Sequence, residues 1–114
     1  MKDDASRLQD ILEAVGRIEK YAAQGREVFE RDELVQTWIV HNLQIIGEAA
    51  GKISPGLQAR HSEVPWRQIV AMRNILVHDY FIVDLQEVWT AVTTDLPDLR
   101  TKIQSILRQL AGTT

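Results

Sequence analysis

The sequence predicts an all-α protein, an up-and-down bundle of four principal helices plus short helical pieces. Apolar residues recur at the 3.6-residue helical period along the chain, no segment keeps the strict alternation of a strand, and glycine and proline breakers leave helix-length stretches between them. Leu8, Ile11, Leu12, Val15, Ile18 and Ala22 form the first stripe. Asp3, Asp4 and Ser6 are available to start that helix and Gly25 to end it, so it is expected over residues 4–24. After Asp32, the series Leu34, Val35, Trp38, Ile39, Ile45, Ile46, Ala49 and Ile53 predicts a second helix over 31–52. Its apolar content is high for a surface helix, which places it at the centre of the bundle or at an interface.

Ser54-Pro55-Gly56 breaks that helix, and Ser54 as N-cap with Pro55 at the first helical position predicts a short turn of helix before His61. Pro65, again read at the first helical position, opens the next helix through Trp66, Ile69, Val70, Leu76 and Val77 to near Tyr80. Asp84 with Glu87 three residues on fits a capping box, and Leu85, Val88, Trp89 and Val92 carry a fourth helix toward Pro97. The proline ring disfavours helix at Leu96 and should kink or restart the element. Leu99, Ile103, Ile106, Leu107 and Leu110 then form the last helix, and 111–114 reads as a frayed tail.

With 114 residues, 45% apolar and 25% charged, the whole chain, 1–114, fits a single domain. A domain of this size buries only about two-thirds of its unfolded surface, so partnering is expected on stability grounds. There are no cysteines, which excludes disulfide scaffolds, thiolate zinc sites and thiol nucleophiles. Neither a signal-peptide core nor a run approaching the roughly 20 apolar residues of a membrane span is legible, so the expected compartment is the cytoplasm, with no membrane contact.

A net charge of −3 argues against a duplex DNA binder, whose affinity comes from counterion release by a coat of cations. The charge is uneven. From Lys52 to His78 the cations are Lys52, Arg60, Arg67 and Arg73 against the single anion Glu63, so this segment carries +3 and the remainder −6. A local positive site on an acidic body could admit an RNA phosphate. Arg60 and Arg67 by themselves read as cations on solvated helix faces.

Within that segment, Arg73-Asn74-Ile75-Leu76-Val77-His78-Asp79-Tyr80 sets a cation, an amide, an imidazole and a phenol inside an otherwise apolar stretch. On a helix Asn74 and His78 are i,i+4 neighbours, while Arg73 and Tyr80, seven apart, line up on a second face with Trp66, Val70 and Val77. A guanidinium on an apolar stripe costs free energy unless an anion or acceptors meet it. From spacing alone, an intramolecular salt bridge with a helix-end histidine is as good an account as a functional site.

Arg73, four residues, His78, one residue and Tyr80 reproduce an R-x4-H-x-Y pattern that resembles the HEPN ribonuclease toxins, in particular the HepT-like branch paired with a minimal nucleotidyltransferase antitoxin of the MntA type. Ile45-Ile46-Gly47-Glu48-Ala49 is similar to that family's I-G-E-A stretch on its second helix, and Trp66, Val83-Asp84 and Val88-Trp89 to its flanking positions. Residues 5–107 can be laid on the pattern, without a departure at a motif position. The resemblance implies an endoribonuclease toxin that needs neither metal nor cofactor and acts as a homodimer whose motif helices meet in a cleft. Arg73 and His78 are the implied catalytic pair and RNA the substrate. It further implies that Tyr80 accepts AMP from the antitoxin. Asn74, one turn before His78, is expected to hold the imidazole's orientation. The alternative is a non-catalytic HEPN-fold helical module that binds a nucleotide or a nucleotidyltransferase partner.

Other candidates carry less. His61-Ser62-Glu63 has the H-x-E spacing of zinc deaminases, but the cysteine ligands are absent. His41 is expected to be a partly buried histidine bonded to a carbonyl, and Glu48 to pair with an arginine in the bundle. Gly47-Glu48-Ala49-Ala50-Gly51 is a small-xxx-small pattern that lets helices approach closely. Trp38, Trp66 and Trp89 read as core.

Overall fold

The computed structural model describes residues 2–78 and 84–112, the side chains of Val77 and His78 excepted. The described residues are helical and contain no strand: α1 Asp4–Ala22, α2 Arg26–Arg31, α3 Glu33–Gly51, α4 Pro55–Arg60, α5 Trp66–His78, α6 Leu85–Thr90, a π-helical turn Ala91–Asp95, and α7 Leu96–Gly112. The all-α bundle expected from the periodicity is the fold observed.

Side-chain caps start most of these helices. Asp3 accepts from the Ser6 amide at 2.8 Å to open α1, and this hydrogen bond holds its carboxyl below the usual carboxylate range. Ser54 and Asp84 cap α4 and α6 through the amides of Leu57 and Gln86. Asp32, in extended conformation, accepts from Leu34 and Val35 at the head of α3. That extended residue separates α3 from α2, which the periodicity did not predict. α2 follows Gly25, whose φ of 101° ends the preceding turn, and it exists because Phe29 buries fully and packs on Trp89 with ring centroids 5.1 Å apart.

Pro65 stands one position earlier than predicted, as the residue before α5, its carbonyl accepting from the Ile69 amide at 3.1 Å. Before Pro97 the α-helical pattern gives way to a π-helical turn, and α7 starts at Leu96. The helix widens by one residue over Ala91–Asp95, and the Leu96 amide reaches back to Ala91. α7 thus begins with Pro97 in its first turn, where the missing amide costs nothing.

α3 packs against α1 on one side and α5 on the other, and α1 packs in turn against α7. The apolar second helix is therefore central, one of the two placements its composition left open. Leu8, Ile11, Ile18, Ile39, Ile103 and Ile106 are completely buried between α1, α3 and α7. Asp4 ties the start of α1 to the start of α4, accepting from the Ser54 amide at 2.9 Å and from its hydroxyl at 2.5 Å.

Candidate functional site

α5 runs antiparallel to α3 along a seam that can be followed residue by residue. Gly51 lies against Val70, Gly47 against Ile69 and Arg73, and the Gln44 amide donates to the Leu76 carbonyl at 3.3 Å. At Gly47 the approach is closest. A Cβ added there would stand well inside 3.0 Å of Arg73 Cβ, 2.8 Å from its Cγ and 3.2 Å from the Ile69 carbonyl oxygen. The small-residue pattern thus has a physical use: it admits the root of the Arg73 side chain into the seam.

Arg73 is half-buried and Asn74 exposed. The guanidinium Nη1 donates to Asn74 Oδ1 at 3.1 Å, and no carboxylate among the described residues forms an ion pair with it. Arg73 and Asn74 are therefore brought together, and the Asn74 carbonyl oxygen serves the arginine, a use that sequence reasoning did not foresee. His78 is the last residue of α5; its side chain lies outside the described residues, as does the whole of Tyr80.

The remaining candidates resolve as follows. Glu48 pairs with Lys52 at 3.2 Å, one turn along α3 and exposed, and not with an arginine. His41 is exposed and stacks on Trp38 at 5.7 Å, which replaces the expected half-buried imidazole on a carbonyl. Trp66 is core, its indole nitrogen donating to the His61 carbonyl at 3.0 Å, and Trp89 is half-buried on Phe29. Trp38, in contrast, is 39% exposed, on an α3 face that carries Leu34 at 81%. His61 Nδ1 lies 3.3 Å from Glu63 Oε2. The Glu63 carboxyl is held below the usual range first by a backbone hydrogen bond and then by that histidine. Among the described residues no helix is long and apolar enough to cross a membrane, and no group of three or more His, Asp or Glu stands where it could hold a metal ion.

An all-α bundle with an arginine and an asparagine presented from a helix crossing defines a small helical protein with a polar site on its fifth helix. Residues 11–106 match the ribonuclease HepT-like family, and the chain belongs to it. It is 37% identical over 100 residues to a protein of Thermococcus cleftensis named "Probable ribonuclease HepT", covering 87% of this chain and 91% of that one. It is 33% identical over 110 residues to a "Putative RNase" of Caldanaerobacter subterraneus, covering 96% of this chain and 98% of that one. No solved structure matches significantly.

Proposed function

We propose that this chain is the toxin of a toxin–antitoxin pair, a metal-independent endoribonuclease whose chemistry rests on Arg73 and His78. The observation that carries the reading is the setting of Arg73. Its root is packed against Gly47, its head touches Asn74, and no described carboxylate neutralises it, so most of its donors remain for an anion. A guanidinium keeps its proton and forks onto two phosphate oxygens. An imidazole titrates near neutrality and can serve as acid or base. Membership of a family named for a ribonuclease, with relatives that carry the same name, supports RNA as the substrate.

In the proposed reaction, one His78 takes the ribose 2′-hydroxyl proton as the 2′-oxygen bonds to phosphorus. The bond to the 5′-oxygen breaks, and that oxygen receives a proton from His78 of the partner subunit. Arg73 stabilises the charge on the phosphorane oxygens. A homodimer supplies the two imidazoles, one from each motif helix. Control falls to Tyr80, whose phenol oxygen would attack the α-phosphorus of ATP on a nucleotidyltransferase antitoxin, releasing pyrophosphate and leaving an AMP whose negative charge competes with RNA for Arg73. The cytoplasm is the compartment in which both partners would meet.

The test is RNA cleavage in excess EDTA. Wild type should cleave and leave 2′,3′-cyclic phosphate ends, while Arg73→Ala and His78→Ala stay folded and do not cleave. Loss of activity in EDTA, or cleavage by the double variant, would overturn the mechanism. Sedimentation should show a dimer and not a 13.0 kDa monomer. Intact-mass shifts of one or more AMP units, after incubation with the antitoxin, ATP and magnesium, should vanish in Tyr80→Phe.

A further inference from the structure

A cleft of about 750 Å³ opens where the end of α3, the short α4 and the start of α5 meet, lined among others by Gly51, Gln58, Ser62, Trp66, Arg67 and Val70. Building on the ribonuclease reading, we propose that this cleft holds a phosphate of single-stranded RNA flanking the scissile one, with Arg67 as its cationic contact. Arg67 is exposed and forms no ion pair among the described residues. The one anion in the lining, Glu63, is turned to His61 Nδ1 at 3.3 Å. Pro65, Arg67 and Gln68, at the head of the 13-residue α5, belong to the same lining, so the positive end of that helix's dipole lies at the cleft.

The cleft's position connects it to the candidate site. Its wall includes Gly51 and Val70, which touch each other in the α3–α5 seam, and one turn further along that seam Gly47 meets Arg73. Arg67 and Asn74 are seven residues apart, which puts them on nearly one line of the helix and roughly 10 Å apart along its axis. Arg73 itself lies about 120° round the helix from Arg67, but Trp66 and Val70 of the cleft share its face, so a strand whose scissile phosphate rests at Arg73 can follow that face to the cleft and reach Arg67 at its edge. Trp66 contributes a fixed wall: it is 8% exposed and its indole N–H is committed to the His61 carbonyl, so the subsite reads backbone and not base. The occupant is a single strand because in-line attack needs the 2′-oxygen opposite the 5′-oxygen, a geometry that an A-form duplex does not offer.

The measurement is fluorescence anisotropy of a labelled single-stranded RNA oligonucleotide over a salt series, with His78→Ala protein so that the strand stays intact. Arg67→Gln should weaken binding roughly tenfold and lower the slope of log affinity against log salt by about 0.7, the share of one phosphate contact. Arg60→Gln, outside the lining, should leave both unchanged. In cleavage assays with His78 present, Arg67→Gln should raise KM by the same factor at unchanged kcat. An unaltered salt slope and KM, a loss of kcat at constant KM, or an effect seen with duplex RNA but not with the single strand would overturn the subsite. Cleavage that survives Arg73→Ala would sink the proposed active site, yet the binding comparison would still stand or fall alone.

Discussion

Gly47→Ala probes the tightest point of the molecule. The new methyl would lie within 3.0 Å of Arg73 Cβ and 2.8 Å from Cγ, whereas carbon atoms pack at about 3.5–4.0 Å. Cβ is rigidly attached to the backbone, so no rotamer of Arg73 relieves the overlap and α5 must move off α3 by about 1 Å. Overpacking of this kind costs up to about 3 kcal/mol, and replacing a mid-helix glycine by alanine returns up to about 1 kcal/mol. The expected net loss is about 2 kcal/mol, read as a lower urea midpoint at unchanged m-value. Gly51→Ala is the matched control. There the methyl meets Val70 Cγ2 at an ordinary 3.5 Å, so stability should hold or rise. Arg73→Gly removes the opposing Cβ, and in that background Gly47→Ala should lose most of its cost, a coupling that only direct contact produces. RNA cleavage by Gly47→Ala should fall about 100-fold, since a shift near 1 Å at a charge-stabilising group has that scale. Equal stability of Gly47→Ala and wild type, or an undiminished cost when Arg73 is glycine, would refute the reasoning.

Two further substitutions test the fold around the site. Asn42 is completely buried; its Nδ2 donates to the Trp38 carbonyl at 2.9 Å and its Oδ1 has no partner among the described residues. Asn42→Leu, which keeps the same branching of heavy atoms and removes the unpaired carbonyl, should therefore stabilise the protein by about 1 kcal/mol, and a lower thermal midpoint would contradict that account. Asp4→Ala removes both acceptors of Ser54 and leaves its amide unpaired, which should cost about 1–3 kcal/mol. Ser54→Ala keeps the amide bond to Asp4 but loses both the hydroxyl bond and the N-cap acceptance from the Leu57 amide, so it should also cost about 0.5–2 kcal/mol, and unchanged stability of Asp4→Ala in chemical denaturation would show that the tie contributes little.

Much of the fold was legible because helix period, cap and breaker are local signals. Asp3, Ser54 and Asp84 open helices where their side chains suggest, and the apolar stripe of Leu8, Ile11, Val15 and Ile18 is the buried face of α1. The misses are non-local. α2 has only six residues, too few for a period to show, and it is held by Phe29 against Trp89 from sixty residues away. The widened turn before Pro97 lets the helix absorb the proline through the Leu96–Ala91 bond, a choice among kink, restart and π-turn that the ring alone does not make. Trp38 was read as core because an indole is large and apolar, yet it lies on the side of α3 that neither α1 nor α5 fully covers.

The sequence by itself determined the helical class, the unusually apolar character of the second long helix and the motif of Arg73, Asn74 and His78, since these depend on residue type and spacing. It also carried the family likeness, because a spaced motif with its flanks can be recognised without coordinates. Only the tertiary structure decided that Gly47 is the seat of Arg73, that Asn74 accepts from that arginine, and that Glu48 turns outward to Lys52. It alone set Arg67 in a cleft at the end of the same seam. Each of these relations depends on how closely two helices approach and in which register, and approach and register are settled by packing across residues far apart in the chain.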